Sequence, residues 1–389
     1  MKIEERIARR QHTESDPRLV LDYDALSPVV HPDEPVGRGS LVERLLDCLE
    51  PAFEGHVPRD IYVWGPKGAG KSAVIRALFG QLDRLIGRSD SKIYTTTRAV
   101  PTPSVEFVYV DARTETTGFA LLHAVLDQLV SDSVPKQGVG AEAIATRLER
   151  RLNAGGQAVI ACVDHVNEPE SLSADLVFEQ LRQFQPGLAA LLVGRDPPTE
   201  TAVGDRDEIQ TVHVDGYRRH TLAEVLTSRT SNGLIRSATT HGQLRELATW
   251  ADGDAHDALA ALFGASVIAE QRGHEEIFPA DMAVGMHAVP RPGVSLGRVL
   301  SLPDSRQRIL SFLIDLPESD RRSVGAAADA ISTYDIDLSR ATIERVLYEL
   351  AEAGIVRRVK AQSTGTGRPP SRVELGFPTR VFAKLTSER

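Results

Sequence analysis

Eight consecutive residues fit the pattern of a phosphate-binding loop. The segment GPKGAGKS, residues 65–72, matches G-x-x-x-x-G-K-[ST]. Its glycines allow a tight turn whose backbone N–H groups point at phosphate oxygens, and a following helix adds its N-terminal dipole. The motif predicts that Lys71 reaches the β- and γ-phosphates of ATP or ADP and that Ser72 ligates Mg²⁺. The predicted phosphate-binding residues are Gly65, Pro66, Lys67, Gly68, Ala69, Gly70, Lys71, Ser72 and Ala73.

A second candidate site follows about 90 residues later, where an apolar segment ends in two polar side chains. VIACV, residues 159–163, is followed by Asp164 and His165. An aspartate at the end of a strand can hold Mg²⁺ together with the loop serine. In nucleotide-hydrolysing enzymes the next residue is usually glutamate, and imidazole is a poorer acceptor for the proton of an attacking water. We therefore expect a weak ATPase that binds nucleotide readily and hydrolyses it slowly.

The segments around these motifs alternate between strand and helix patterns. Strands are predicted at 61–64, 105–112, 157–164 and 188–195, and helices at 41–53, 118–130, 141–152 and 174–184. Such alternation favours right-handed crossovers and a parallel sheet that is buried on both faces. The sequence therefore predicts an α/β nucleotide-binding core. From Thr221 to about residue 286 the pattern is purely helical, and a Pro/Gly-containing joint at 287–297 follows.

The last 90 residues have the element order of a winged helix, with three helices followed by two strands around a glycine-rich loop. Ser339 is placed to cap the third helix, which would read base edges in the major groove while the wing contacts phosphates. Residues 357–372 contain five basic side chains and no acidic one. The residues predicted to contact double-stranded DNA are Arg340, Thr342, Arg345, Arg357, Arg358, Lys360, Arg368 and Arg372. A winged helix that binds a protein is the alternative, because a fold alone does not settle function.

Composition and charge agree with a protein that meets DNA only at one end. The chain has 389 residues and a formal net charge of −9, yet from Leu300 onward 14 Lys and Arg face 12 Asp and Glu. This asymmetry indicates that the C-terminal part contacts the polyanion. No apolar run approaches the roughly 20 residues needed to cross a bilayer, so we expect a cytoplasmic, nucleoid-associated protein without membrane contact. Two cysteines support neither a disulfide framework nor a zinc site.

The chain resembles the archaeal origin-recognition and cell-division-control type of replication initiator, an AAA+ ATPase family with a C-terminal winged helix. The resemblance covers about residues 30–385, and only the loop at 65–72 is highly specific by itself. The remaining support for the resemblance is the order and spacing of four other segments. These are VYVDARTETTGFALLHAVLDQLVSDSVPKQGVGAEAIATRLERRL before the second site, PVGR at 35–38, VHVDGYRRHTLAEVLTSR at 212–229 and GDAHDAL at 253–259.

The resemblance implies roles for four further residues. Tyr217 corresponds to a residue near the adenine, and Arg229 to one that closes the nucleotide pocket. Two positions depart from the family pattern, because His256 stands where it has an arginine and His165 where it has a glutamate. Arg195 follows the fourth strand in place of a small polar residue. Asp164, His165 and Arg195 are the candidate catalytic residues, and Ser72 and Asp164 the candidate metal ligands.

The predicted organisation has four parts: a flexible arm at 1–30, an AAA+ core at 31–216, a helical lid at 217–290 and a winged-helix domain at 298–389. The resemblance implies an ATP-dependent initiator that recognises origin DNA, with ATP binding as the switch. Other initiator subunits or a replicative helicase are the implied protein partners. The alternative is a non-replicative AAA+ regulator that binds nucleotide and uses its winged helix for operator DNA or a protein partner.

Overall fold

The computed structural model describes residues 18–90, 105–155, 158–201, 203–204, 206, 208–360 and 371–387. These residues form two compact units. The first comprises residues 31–221, and the second comprises residues 222–389 together with the N-terminal segment up to Val30. The division between the two units falls at 221/222, whereas the boundary between core and lid was predicted at 216/217. The predicted division into a lid at 217–290 and a winged-helix domain at 298–389 stays a prediction.

The first unit is built on a five-stranded parallel sheet. Its elements are α2 (Gly39–Phe53), β1 (Ile61–Trp64), α3 (Lys71–Asp90), β2 (Val105–Asp111), α4 (Gly118–Leu129), α5 (Ala141–Gly155), β3 (Ala158–Asp164), α6 (Ala174–Arg182), β4 (Leu188–Val193), a 3₁₀ turn (Pro198–Glu200) and β5 (Gln210–His213). The strands lie in the order β2-β3-β4-β1-β5. The predicted α/β core with a parallel sheet is confirmed. The sheet order places β4 between the strand before the loop and the strand that ends at Asp164.

Helices cover both faces of this sheet, which explains its apolar strands. Every residue of β3 and β4 is buried. Alternate residues enter two separate clusters: Val159, Ala161 and Val163 pack with α4 and α6, whereas Ile160 and Cys162 pack with α2 and α3. Strands that are buried on both faces read as continuous apolar runs, so the pattern alone predicted them correctly.

The second unit is helical and ends in a small antiparallel pair of strands. Its helices are α1 (Tyr23–Leu26), α7 (Arg219–Gly233), which begins in the first unit, α8 (His241–Ala251), α9 (Ala255–Gln271), α10 (Pro279–His287), α11 (Leu296–Leu300), α12 (Asp304–Asp315), α13 (Val324–Ile331), α14 (Arg340–Glu352) and α15 (Thr379–Ser387). The strands are β6 (Val356–Lys360) and β7 (Ser371–Leu375). Three helices followed by two paired strands match the predicted winged-helix order.

The prediction of a flexible arm over residues 1–30 is wrong for its described part. Leu19, Val20 and Leu26 are buried, and Val20 forms a β-bridge with Leu234. Asp22 caps α1 by accepting hydrogen bonds from the backbone of residues 24 and 25. These three apolar residues pack beside the end of α7, which removes their surface from water. Among the described residues, none of the helices is both long and apolar enough to span a membrane.

Candidate nucleotide-binding site

The phosphate-binding loop connects β1 to α3, as the motif requires. Gly65, Gly68 and Gly70 have positive φ angles of 148°, 69° and 79°. A side chain on Gly65 would meet the backbone, because its Cβ would lie 2.1 Å from the Val214 carbonyl oxygen. Only glycine combines this φ with so close a backbone approach. The loop is therefore held in a compact turn at the carboxyl end of β1.

Lys71 is buried and bonded to its own loop. Its Nζ donates hydrogen bonds to the carbonyl oxygens of Gly65 at 2.7 Å and Pro66 at 2.8 Å. Burial lowers the pKa of Lys71 to about 8, although the nearby Asp164 carboxylate opposes the shift. A phosphate would supply the negative charge that this ammonium group lacks. The arrangement suits an anionic ligand that replaces the two carbonyl contacts.

Asp164 ends β3 beside the loop serine. Its carboxylate is buried and accepts hydrogen bonds from the Ser72 hydroxyl and from the Tyr109 hydroxyl, the latter at 2.5 Å. Burial alone would raise the pKa of Asp164, but His165 and the two hydroxyl donors outweigh it and lower the pKa to about 2. The carboxylate is therefore ionised. A hydroxyl and a carboxylate oxygen in contact are the hard donors that Mg²⁺ prefers.

His165 and Arg195 both lie near this carboxylate. The backbone N–H of His165 donates to Asp164 Oδ1 at 2.8 Å, and its ring Nε2 lies 3.6 Å from Oδ2. Arg195 follows β4, which separates β1 from β3, so it comes between the two predicted halves of the site. Its guanidinium donates to Glu168. The structure thus brings all three candidate catalytic residues, Asp164, His165 and Arg195, to one edge of the sheet.

Tyr217 packs against the loop from the other side. A Cβ on Gly70 would lie 2.4 Å from the Tyr217 hydroxyl. The guanidinium of Arg38 stacks 3.7 Å above the centre of the Tyr217 ring and donates to the Asp215 carbonyl. Tyr217 therefore borders the loop. The base of a nucleotide whose phosphates are held by the loop could reach this tyrosine. Contact between Tyr217 and adenine stays a prediction.

Arg229 and His256 belong to the second unit and make contacts within it. Arg229 donates to the carbonyl oxygens of Ala25 at 3.1 Å and Val30 at 2.6 Å. His256 accepts a hydrogen bond from Leu296 N–H at 2.8 Å through Nε2, and its Nδ1 lies 3.2 Å from Asp257 Oδ1. These contacts stabilise the unit. The nucleotide-binding roles of Arg229 and His256 stay predictions.

Three residues of this site were not assigned a role from the sequence. Glu168 bonds to both His165 and Arg195. The Tyr109 hydroxyl donates a hydrogen bond to Asp164, and the Arg38 guanidinium stacks on the Tyr217 ring. Glu168 had a signal, since it is an acidic residue in the turn directly after Asp164. Tyr109 had none, because only the pairing of β2 with β3 brings its hydroxyl to Asp164.

Three of the predicted DNA-binding arginines, Arg340, Arg345 and Arg372, pair with acidic neighbours. Ser339 caps α14 as predicted, and the Thr342 hydroxyl bonds to it at 2.9 Å. Arg340 donates to Asp329 at 2.6 Å and also pairs with Glu344. The other described contacts are Arg345 with Glu349, Arg358 over the Tyr348 ring, and Arg372 with Glu374.

Not every predicted wing residue makes such a pair. Arg357 has a buried Nε without a hydrogen-bond partner among the described residues. Lys360 ends β6, and Arg368 lies outside the described residues. The surface therefore carries cations, and three of them, Arg340, Arg345 and Arg372, would exchange a carboxylate for a phosphate on binding DNA. DNA contact by these residues stays a prediction.

Comparisons with known proteins identify an AAA ATPase domain and distant relatives of the whole chain. A family model described as an AAA ATPase domain matches residues 34–193. The ORC1-type DNA replication protein 6 of Halobacterium salinarum is 22% identical over 347 residues, which cover 85% of this chain and 86% of the relative. The ORC1-type DNA replication protein 1 of Sulfolobus acidocaldarius is 23% identical over 376 residues, which cover 90% and 88%.

Solved structures show the same fold. The Aeropyrum pernix ORC1 protein, solved in complex with DNA, has a TM-score of 0.64 at 21% identity and covers 96% of this chain and 98% of its own. The Pyrobaculum aerophilum Cdc6p protein has a TM-score of 0.54 at 19% identity and covers 95% and 99%. The chain is therefore a distant relative of the ORC1-type DNA replication proteins and carries an AAA ATPase domain.

Proposed function

We propose that this protein is a replication initiator that binds ATP with Mg²⁺ and recognises double-stranded origin DNA through its winged helix. ATP binding is the switch, and hydrolysis is slow. One observation carries the nucleotide part: a buried lysine and a serine–aspartate pair meet at the same edge of the sheet. The DNA part is supported by the relationship to ORC1-type proteins and by a related structure solved with DNA.

Bound Mg²⁺ would supply charge neutralisation for the phosphates. Ser72 and Asp164 would hold it, since their hydroxyl and carboxylate groups already touch. Lys71 binds the terminal phosphates as a point charge, and the loop N–H groups orient them. His165 cannot match a glutamate as a proton acceptor, which is why we assign slow turnover to the wild-type chain.

Lys71→Ala tests nucleotide binding. The substitution removes the fixed cation aimed at the β- and γ-phosphates, so ATP binding should be lost in isothermal titration calorimetry. Lys136→Ala is the matched control, because it removes the same charge from an exposed position outside the loop. An unchanged ATP affinity in Lys71→Ala would contradict the assignment of residues 65–72.

DNA footprinting tests the switch. The purified protein should protect repeated sites in the DNA upstream of its own gene when ATP is present, and protect them less without ATP. Lys71→Ala should behave as the nucleotide-free protein does under both conditions. Equal protection with and without ATP would leave DNA binding in place but exclude nucleotide as the switch.

A regulator that binds a protein partner is the second candidate. The observation in its favour is that Arg340, Arg345 and Arg372 all pair with carboxylates, which weakens the positive field of the winged helix. Such a protein would bind no origin-like repeat more tightly than random duplex DNA. Competition between the two duplexes in the footprinting assay separates the candidates, because phosphate contacts alone carry no sequence information.

A further inference from the structure

A buried carboxylate lies beside the predicted catalytic residues and is not among the residues assigned to nucleotide binding. Glu168 is 6% exposed. Its Oε1 accepts hydrogen bonds from His165 Nδ1 at 3.1 Å and from Arg195 Nη2 at 2.6 Å. Its Oε2 is buried and has no hydrogen-bond partner among the described residues. Burying a carboxylate is costly, so two converging donors, an imidazole nitrogen and a guanidinium, indicate a built arrangement.

The turn after β3 explains how Glu168 reaches residue 165. His165 and Asn167 have positive φ angles of 65° and 62°, a region in which histidine and asparagine are enriched among non-glycine residues. Val166 N–H donates to the Val193 carbonyl at 3.0 Å, and Ala174 N–H donates to Asn167 Oδ1 at 2.8 Å. The chain therefore folds back on itself, and the turn is fixed to both β4 and α6.

The charges around Glu168 define what each group can do. Burial alone would raise its pKa, but the hydrogen bond from His165 and the Arg195 guanidinium lower the pKa to about 2. An ionised carboxylate only accepts hydrogen bonds, so His165 Nδ1 carries the donated proton. The other ring nitrogen, Nε2, lies 3.6 Å from Asp164 Oδ2, which is beyond a direct hydrogen bond. Asp164 Oδ2 accepts instead from Tyr109.

We propose that Glu168 is a positioning residue for ATP hydrolysis, because it holds the His165 imidazole and the Arg195 guanidinium in place beside Asp164. Glu168 lies four residues after Asp164, whereas the family pattern has its glutamate at the position directly after the aspartate. His165 then presents Nε2 to a water on the Asp164 side, and Arg195 stands beside the terminal phosphate. This role rests on the proposed function, since it assumes that ATP binds at residues 65–72.

Single-turnover hydrolysis of Mg²⁺·ATP is the first test. Glu168→Ala should slow the chemical step roughly 10- to 100-fold, the usual effect of losing an outer partner that orients a site residue. ATP affinity by calorimetry should not change, because Glu168 does not contact the loop. Glu168→Gln keeps an acceptor oxygen for His165 and should recover part of the rate. Glu170→Ala removes the same charge from an exposed position in the same turn and should leave the rate unchanged.

A double-mutant cycle shows whether Glu168 acts through His165. In a His165→Ala background, Glu168→Ala should slow hydrolysis much less than it does in the wild-type chain, because one of its two partners is already gone. A merely structural Glu168 would lower the rate by the same factor in both backgrounds. Equal factors would therefore overturn the positioning role.

Nitrogen-15 NMR of histidine-labelled protein provides a readout that needs no turnover. The proton on His165 Nδ1 should exchange slowly with water in the wild type, and its signal should be lost in Glu168→Ala and retained in Glu170→Ala. His165→Ala identifies the signal. A signal that survives in Glu168→Ala, or equal turnover of that variant and the wild type, would overturn the proposal.

Failure of the proposed function would give different results from failure of the proposal for Glu168. If the wild type hydrolyses no faster than Lys71→Ala but the Nδ1 signal depends on Glu168, the hydrolytic part of the proposed function fails and the contact of Glu168 with His165 stands. If ATP does not bind, the nucleotide part fails as a whole. Neither result resembles a Glu168→Ala protein that binds ATP normally and turns it over at the wild-type rate.

Discussion

Single residues set the shape of the phosphate-binding loop through their backbone angles. Gly65 and Gly70 both have positive φ, and each lies where an added Cβ would collide, with the Val214 carbonyl and with the Tyr217 hydroxyl respectively. The first contact is with the backbone, which cannot move aside as a side chain can. The candidate nucleotide site therefore requires glycine at these two positions as much as it requires Lys71.

Gly65→Ala should destabilise the loop and abolish ATP binding. The new Cβ would lie 2.1 Å from the Val214 carbonyl oxygen, so β1 and the segment after β5 must separate. We expect a loss of about 1–3 kcal/mol in the free energy of unfolding, measured by urea titration. Gly39→Ala is the matched control, since no heavy atom lies within 4 Å of its Cβ. A Gly65→Ala protein that binds ATP normally would contradict this geometry.

The charge pattern of one helix decides what the winged helix can bind. Helix α14 carries Arg340 and Arg345, and each pairs with a glutamate four residues later. Pairs at this spacing on an exposed helix surface contribute little to stability, so a phosphate can replace the carboxylate. If α14 contacts DNA as proposed, we expect these glutamates to moderate its affinity without blocking it.

Glu344→Gln should tighten DNA binding. It leaves Arg340 with one acidic partner, Asp329, and removes a negative charge from the face that is proposed to meet phosphates. We expect the dependence of log affinity on log salt to steepen by up to about one unit, as for one added phosphate contact. Arg340→Ala should change the slope in the opposite direction. Glu352→Gln, at the end of the same helix, is the control.

Fluorescence anisotropy with a labelled duplex at several salt concentrations measures these slopes. Equal slopes for wild type, Glu344→Gln and Arg340→Ala would show that α14 does not contact phosphates. That result would favour the protein-binding alternative for the winged helix.

On the scale of the whole molecule, the N-terminal segment belongs to a unit that begins 200 residues later in the chain. Leu21 N–H donates to the Gly233 carbonyl, and Ile235 N–H donates to the Leu19 carbonyl. Leu26 is fully buried against Gly233, whose added Cβ would lie 2.6 Å from Leu26 Cγ. The Tyr23 hydroxyl also donates to Glu270 in α9. The segment therefore completes the core of the second unit.

Leu26→Ala should lower the stability of the second unit by about 2–5 kcal/mol, the usual cost of deleting a buried leucine side chain. Leu21→Ala is the matched control, because Leu21 is 44% exposed in the same segment. Hydrogen exchange measured by mass spectrometry would locate the effect in α7 and α9. Equal protection in the two variants would mean that the segment does not contribute to the core.

Much of this architecture could be read from local patterns. The loop at 65–72 must follow a strand and precede a helix, and β1 and α3 do so. Continuous apolar runs predicted β3 and β4, because strands covered on both faces need no polar alternation. Ser339 was recognised as a cap from its place before α14. These features are determined by residues close together in sequence.

Other features depended on contacts between distant residues. Residues 18–30 follow a strongly polar stretch and were predicted together with it as one arm, so the apolar residues Leu19 and Leu26 were not recognised as part of a core. Their burial depends on contact with residues 233–235. The contacts of Glu168 with His165 and Arg195 depend on two residues with positive φ in the turn after β3. They also depend on the placement of β4 beside β3. Tyr109 reaches Asp164 only because β2 pairs with β3.

The sequence by itself therefore determined that this chain has a nucleotide-binding α/β core followed by a winged helix. Only the tertiary structure decided which side chains surround the candidate site, that is Tyr109 and Glu168 in addition to Asp164 and Arg195. The physical reason is the distance along the sequence over which each kind of interaction acts. Propensity and periodicity act over a few residues, whereas burial, charge pairing and sheet order bring together groups that are tens to hundreds of residues apart.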